Sequence, residues 1–114
     1  MKVTVQEDLQ NFVIKPQGKF EEGDCYLLRD ALERSTRCLS RHVLVDLKDL
    51  QNITTAGQRI LLSYSTQLQA LRRPLVLFNI NPVVLHSFED SGLNKVISIA
   101  NGLTEAKALA QGHK

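Results

Sequence analysis

Aromatic residues are scarce in this chain: no tryptophan, two tyrosines and four phenylalanines among 114 residues, 5% in all. Stacking platforms for single-stranded nucleic acid or sugars need exposed aromatic faces, and few are on offer. A dominant charge is missing too. Fourteen Lys and Arg stand against twelve Asp and Glu, a formal net charge of +2. The basic residues are interleaved with acids from Lys2 to Lys114, and Arg72-Arg73 is the densest pair. A nucleic-acid binder shows a basic stripe or run, so no direct nucleic-acid partner is expected. No apolar stretch nears the ~20 residues that span a bilayer. The opening MKVTVQEDLQ lacks the apolar run of a signal peptide. The expectation is a cytoplasmic protein without membrane insertion. Only two cysteines are present. Cys25 and Cys38 fall in one expected helix, which separates them by about 20 Å, well beyond disulfide reach. His42, His86 and His113 bear no zinc-like spacing to them, so neither a metal nor a cofactor is expected.

What is present is the aliphatic core of one domain. The chain is 43% hydrophobic and 23% charged, an ordinary globular balance. Its length suits a single domain over residues 1–114 that buries roughly two-thirds of its unfolded surface. Val3 and Val5 alternate with polar residues, and Phe12-Val13-Ile14 follows, which predicts two short strands, the first half-exposed. Pro16, Gly18 and Gly23 punctuate a turn. From Asp24, a residue type suited to an N-cap, to about Leu39 the pattern is helical, with Leu28, Ala31, Leu32, Ser35 and Leu39 on one face. Val43-Leu44-Val45-Asp46-Leu47 reads as a strand buried on both faces of a parallel sheet. A second helix carries Ile60, Leu61, Tyr64, Leu68 and Leu71 inward and stops at Pro74. Leu75 to Phe78 is another buried strand. Asn81 caps a third helix with Pro82 in its first turn, Val84, Leu85 and Phe88 inward, and Gly92 at its end. Val96, Ile97 and Ile99 form a last strand, and Leu103 to about Ala110 a final helix. Such alternation predicts a parallel-centred sheet with crossover helices and an antiparallel first edge.

Open α/β sheets gather ligands and contacts at the carboxyl ends of their strands. That edge holds Lys48 to Gly57, Asn79 to Pro82, and Gly18 to Asp24. Thr54 and Thr55 stand where the second helix begins. A helix start offers free N–H groups and a partial positive charge, so a phosphate attached there would be stabilised. Threonine is equally a common N-cap that needs no function. Enzymatic chemistry finds no support. Neither standard phosphate loop spacing occurs. Ser63, Ser65 and Thr66 lie within a helix and are expected to bond back to its carbonyls. Asp46 and Asp49 have no histidine beside them, and His86 reads as a surface or packing residue.

The segment VLVDLKDLQNITTAGQRILLSYSTQL resembles the centre of STAS domains, the anti-sigma-factor antagonist family. Asp46-Leu47 matches that family's strand end, and Thr55-Ala56-Gly57 its phospho-acceptor and glycine. Gly18-Lys19-Phe20 is similar to its turn after the second strand. Pro74-Leu75-Val76-Leu77 with Asn79 and Pro82 is similar to its next strand and loop, and Ser91-Gly92-Leu93 to its Ser-Gly-Leu. The likeness runs over essentially the whole chain.

This resemblance implies an α/β STAS-like single domain, with a mixed sheet of four to five strands, a parallel centre and about four helices. It also implies a binding module without catalytic residues. Its partner would be an anti-sigma factor with serine-kinase activity, released by phosphorylation at Thr55 or, less favoured, Thr54. The implied partner surface is Gly18, Phe20, Thr54, Thr55, Ala56, Gly57, Gln58 and Arg59. Three positions depart from the family pattern. Thr54 stands where an acid is usual, Thr55 replaces the commoner serine, and Gln58 replaces an apolar residue. The alternative is a STAS subunit of a lipid-transport ABC complex, binding its transporter ATPase subunit without a phospho-switch. A small-molecule or nucleotide-binding domain has only the habits of the fold behind it.

Overall fold

A computed structural model describes residues 1–111; His113 and Lys114 lie outside the described residues. The strands are β1 (Lys2–Glu7), β2 (Asn11–Gln17), β3 (His42–Asp46), β4 (Leu75–Phe78) and β5 (Ser98–Ala100). The helices are α1 (Cys25–Arg37), α2 (Thr55–Ala70), α3 (Pro82–Ser91) and α4 (Leu103–Gln111). The strands pair in the order in which they occur along the chain. β1 is antiparallel to β2, and β2 through β5 are parallel. This is the mixed, parallel-centred sheet that the alternation of elements predicts.

The layering follows from chain order. Parallel crossovers are right-handed, so a sheet wound steadily in one direction drops successive helices on one face. α1, α2 and α3 accordingly cover a core that contains Phe12, Ile14, Leu32, Val43, Val45, Leu61, Leu68, Leu77 and Phe88. The other face is left to α4, whose Ala106 and Ala110 pack on Leu44, Val76, Phe78 and Ala100. β3 and β4 are buried on both faces, which is why they read as unbroken apolar runs. α1 and α2 are tied by the Tyr64 hydroxyl, which donates to Glu33 Oε1 at 2.8 Å. Burial, and then this bond, push the Tyr64 phenol above its ordinary range.

Several boundaries differ from the expectation. Asp24 does not cap α1 with its side chain. It sits in a 3-10 turn, Glu22–Asp24, and its carboxylate accepts the Glu21 N–H at 2.7 Å. That bond chiefly holds its pKa below the ordinary value. α1 ends at Arg37, so Cys38 lies just past the helix and Leu39 is 86% exposed rather than inward. The chain leaves the helix there because Arg73 reaches over and binds its last carbonyls. The Arg73 guanidinium donates to Ser35 O (3.3 Å), Thr36 O (3.0 Å) and Cys38 O (2.9 Å), and its charge matches the negative end of the helix. Val96 is 62% exposed and precedes the last strand, which is only Ser98–Ala100, because a 3-10 turn over Leu93–Lys95 consumes the intervening chain.

α2 also stops before Pro74. The Arg73 N–H bonds Leu68 O and the Arg72 N–H bonds Gln69 O, both at 2.9 Å. This is the paired 6→1 and 5→2 reversal that ends helices and favours glycine at its left-handed position. Here that position is Arg72, at φ 63. A side chain in this region costs about 1 kcal/mol relative to glycine. Leu71, expected inward, is 49% exposed.

Candidate functional site: the start of helix α2

The carboxyl ends of β2 and β3 lead into two loops that are laced together. The Gly18 N–H donates to Asp49 O and the Gln51 N–H to Gly18 O, both at 2.9 Å. Asn52 clamps Phe20 from both sides of its backbone. Its Oδ1 accepts the Phe20 N–H at 2.9 Å and its Nδ2 donates to Phe20 O at 3.1 Å. From the third loop, Asn81 Nδ2 donates to Leu50 O. Asp46 closes β3 by accepting the Lys48 N–H (3.0 Å) and the Asn79 amide (3.3 Å), so its carboxylate serves the turn.

These loops deliver α2 at a fixed position. Thr54 is the N-cap, and its hydroxyl accepts the Gly57 N–H at 3.0 Å. Thr55 is the first helical residue. It is exposed, and its hydroxyl has no hydrogen bond among the described residues. The two threonines, of which the family resemblance favours Thr55, are thus distinguished by geometry as well. One hydroxyl is engaged in the cap, and the other faces solvent beside the unpaired N–H groups of the first turn.

The proposed surface divides in the same way. Thr55, Ala56 and Arg59 are exposed, and Thr54 and Gly18 are half-buried. Phe20 is only 2% exposed, which corrects its placement on the surface. Its ring lies under Gly57, where a Cβ would meet Phe20 Cζ and Ile53 Cγ1, each at 2.9 Å. Gly57 is therefore buried, and the close approach of Phe20 and Ile53 requires a glycine there. Gln58 is buried as well, 8% exposed, and accepts a hydrogen bond from the Ser91 hydroxyl. A polar residue replaces the usual apolar one here because it has a partner on α3. From the other loop, the exposed residues are Lys19, Glu21, Glu22 and Gly23.

The hollows beside Thr55 carry no mark in the sequence. A groove of about 340 Å³ runs between α2 and the segment after α3, with Thr55, Arg59, Leu62, Leu93 and Val96 among its lining residues. A second hollow contains Thr55, Ser87, Asp90 and Ser91. Asp90, which pairs with His86 at 3.4 Å on the α3 surface, brings a carboxylate into the same hollow as Thr55, although the residue before Thr55 is not acidic. No signal in the sequence marks this edge as open, because the last strand begins at Ser98, not at Val96, only once the 3-10 turn is formed. Among the described residues no group of three or more His, Cys, Asp or Glu is placed to hold a metal ion. No helix among them is long and apolar enough to cross a membrane.

A family model for the STAS domain matches residues 2–106. BtrV of Bordetella bronchiseptica, whose name assigns it provisionally to the anti-sigma factor antagonists, is 30% identical over 108 residues, covering 95% of this chain and 93% of its own. Among solved structures, an anti-sigma factor antagonist from Mycobacterium paratuberculosis superposes with a TM-score of 0.85 at 15% identity. It covers 97% of this chain and 94% of that one. The Bacillus cell-fate determinant SpoIIAA in its phosphorylated form superposes with a TM-score of 0.72 at 16% identity, covering 96% and 98%. These two likenesses concern the fold.

Proposed function

The chain belongs to the STAS domain family, and from that membership we propose that it is a protein-binding switch of the anti-sigma-factor antagonist kind, controlled by phosphorylation of Thr55. Its partner is an anti-sigma factor with serine-kinase activity. The observation that carries this reading is the division of labour at the helix start. The Thr54 hydroxyl is held by the Gly57 N–H, while the Thr55 hydroxyl is exposed and free to attack a phosphoryl donor. Unmodified, the surface of Thr55, Ala56, Arg59 and the neighbouring Gly18–Asp24 loop receives the partner. Phosphorylation adds about −1.5 to −2 charges to a chain of net +2. A charge placed in a tight interface separates the partners by repulsion and desolvation.

The test is to incubate the protein with a serine-kinase anti-sigma factor from its own genome and ATP, then map the phosphosite and measure binding. Phosphate at Thr55, retained binding by Thr55→Ala and binding weakened at least about tenfold by Thr55→Glu are expected. Phosphate at Thr54, or none, refutes the switch. Capture of a transporter ATPase in place of the kinase would favour the lipid-transport alternative.

A further inference from the structure

At the opposite end of the molecule, where α1 and α2 finish and β3 begins, lies an open cleft of about 710 Å³. Its walls bring together Arg41, His42, Arg72 and Arg73, with no carboxylate among the described lining residues. From the geometry we infer that this cleft binds a small phosphate-bearing anion, a pyrophosphate or the diphosphate of a nucleotide. The site is about 24 Å from Thr55 along the 16 residues of α2, and the inference does not rest on the phospho-switch.

Three observations support it. First, the arginines are not all occupied by the fold. Arg73 binds the carbonyls at the end of α1, but the exposed guanidinium groups of Arg41 and Arg72 have no hydrogen bond among the described residues. Neutralising helix ends therefore accounts for one arginine of the three. Second, Arg72 occupies the left-handed position of the α2 terminus at φ 63, where glycine is the unstrained choice. Strain kept at a non-glycine residue marks a place where the side chain itself matters. Third, the cleft lies in a positive field. The imidazole of His42 is held below its ordinary value by burial and then by the charges of Arg41 and Lys107. Asp8, the acid near Lys107, is kept ionised by the N–H groups of Gln10 and Asn11, each at 2.8 Å, and offsets that lysine, so the unpaired positive charge of the cleft is that of Arg41 and Arg72.

The chemistry of the ligand follows from the walls. Guanidinium forks pair two oxygens at a time with phosphate, and the volume suits a small ligand. No Phe, Tyr or Trp is among the described residues lining the cleft, so the phosphates, not a base, supply recognition.

Titration of the isotope-labelled protein with pyrophosphate and with ADP at physiological salt, followed by NMR, tests the inference. Saturable shifts are expected at Arg41, His42, Arg72 and Arg73. Equal affinities identify the diphosphate alone as the ligand, whereas tighter ADP binding identifies the nucleotide. Arg72→Gly should bind pyrophosphate about tenfold more weakly while melting at or above the wild-type temperature, because it relieves the strain. Arg41→Gln should lose affinity with an unchanged melt. Shifts confined to the start of α2, sulfate binding as well as pyrophosphate, undiminished binding by Arg72→Gly, or a lowered melt for that variant would each overturn the inference.

Discussion

Replacing Gly57 with alanine sets two effects of opposite sign against each other. Glycine in a helix is less favourable than alanine by up to ~1 kcal/mol, so propensity alone predicts a stabilised protein. Packing predicts the reverse. The new Cβ would stand 2.9 Å from Phe20 Cζ, 3.1 Å from Phe20 Cε2 and 2.9 Å from Ile53 Cγ1, roughly 1 Å inside ordinary carbon contact. Relief requires the ring or the helix to move. The ring is 2% exposed, and its backbone is clamped at both N–H and C=O by Asn52, so the helix start must yield. Overpacking of this kind costs about 1–3 kcal/mol. Subtracting a first-turn propensity gain of about 0.5 kcal/mol leaves a net loss of about 0.5–2.5 kcal/mol, several degrees in Tm for a domain of this size. Thermal and urea melts of Gly57→Ala measure it. Adding Phe20→Leu, which removes the Cζ and Cε atoms in question, should shrink the incremental effect of Gly57→Ala. A Gly57→Ala protein as stable as wild type, or more stable, would refute the close packing of the helix start on Phe20.

Further perturbations probe the other supports. Arg73→Ala should lose about 2 kcal/mol by urea denaturation, because the charged bonds to the end of α1 vanish together; a loss under about 0.5 kcal/mol would show that water replaces them freely. Thr54→Ala should lose about 1 kcal/mol of cap energy while Thr54→Asp keeps it, both read from thermal melts. For His42, burial and the charges of Arg41 and Lys107 hold the folded pKa below 6.5. The unfolded chain therefore takes up the proton first, and the contribution of His42 to stability falls as pH drops below 6.5 and levels off below the folded pKa. Denaturation at a series of pH values should show that slope in the wild type, and His42→Asn should lose it.

Most of the element order was legible because the signals are local. Asn81, Pro82 and Gly92 frame α3 by cap chemistry, and the Asn81 side chain does accept the Val84 N–H at 3.0 Å. Thr54 marks the start of α2 for the same reason. What escaped the sequence depends on residues far apart in the chain. α1 ends early because Arg73, more than thirty residues later, binds its carbonyls. Phe20 belongs to the core because Asn52 positions it under Gly57. Gln58 can be buried because Ser91 meets it. In each case one partner gives no hint of the other. Family resemblance already favours Thr55 over Thr54, but which hydroxyl caps the helix and which stays exposed appears only once the first turn is built.

That first turn also constrains how a phosphate on Thr55 could act. At the first helical position the negative charge faces the positive end of the helix and its unpaired N–H groups, an arrangement that stabilises the fold. Unfolding is therefore a poor route for a signal. A conformational relay is little better. The residues behind Thr55 are held by the Thr54 cap, the Phe20 ring against Gly57 and the Ser91 bond to Gln58, and the loops beneath by Asn52 and Asn81. A turn fixed from so many directions resists the second arrangement that a charge would have to select. The remaining route is direct. The phosphate would change what the surface presents, leaving the scaffold in place, and its effect would be felt by whichever partner covers Thr55.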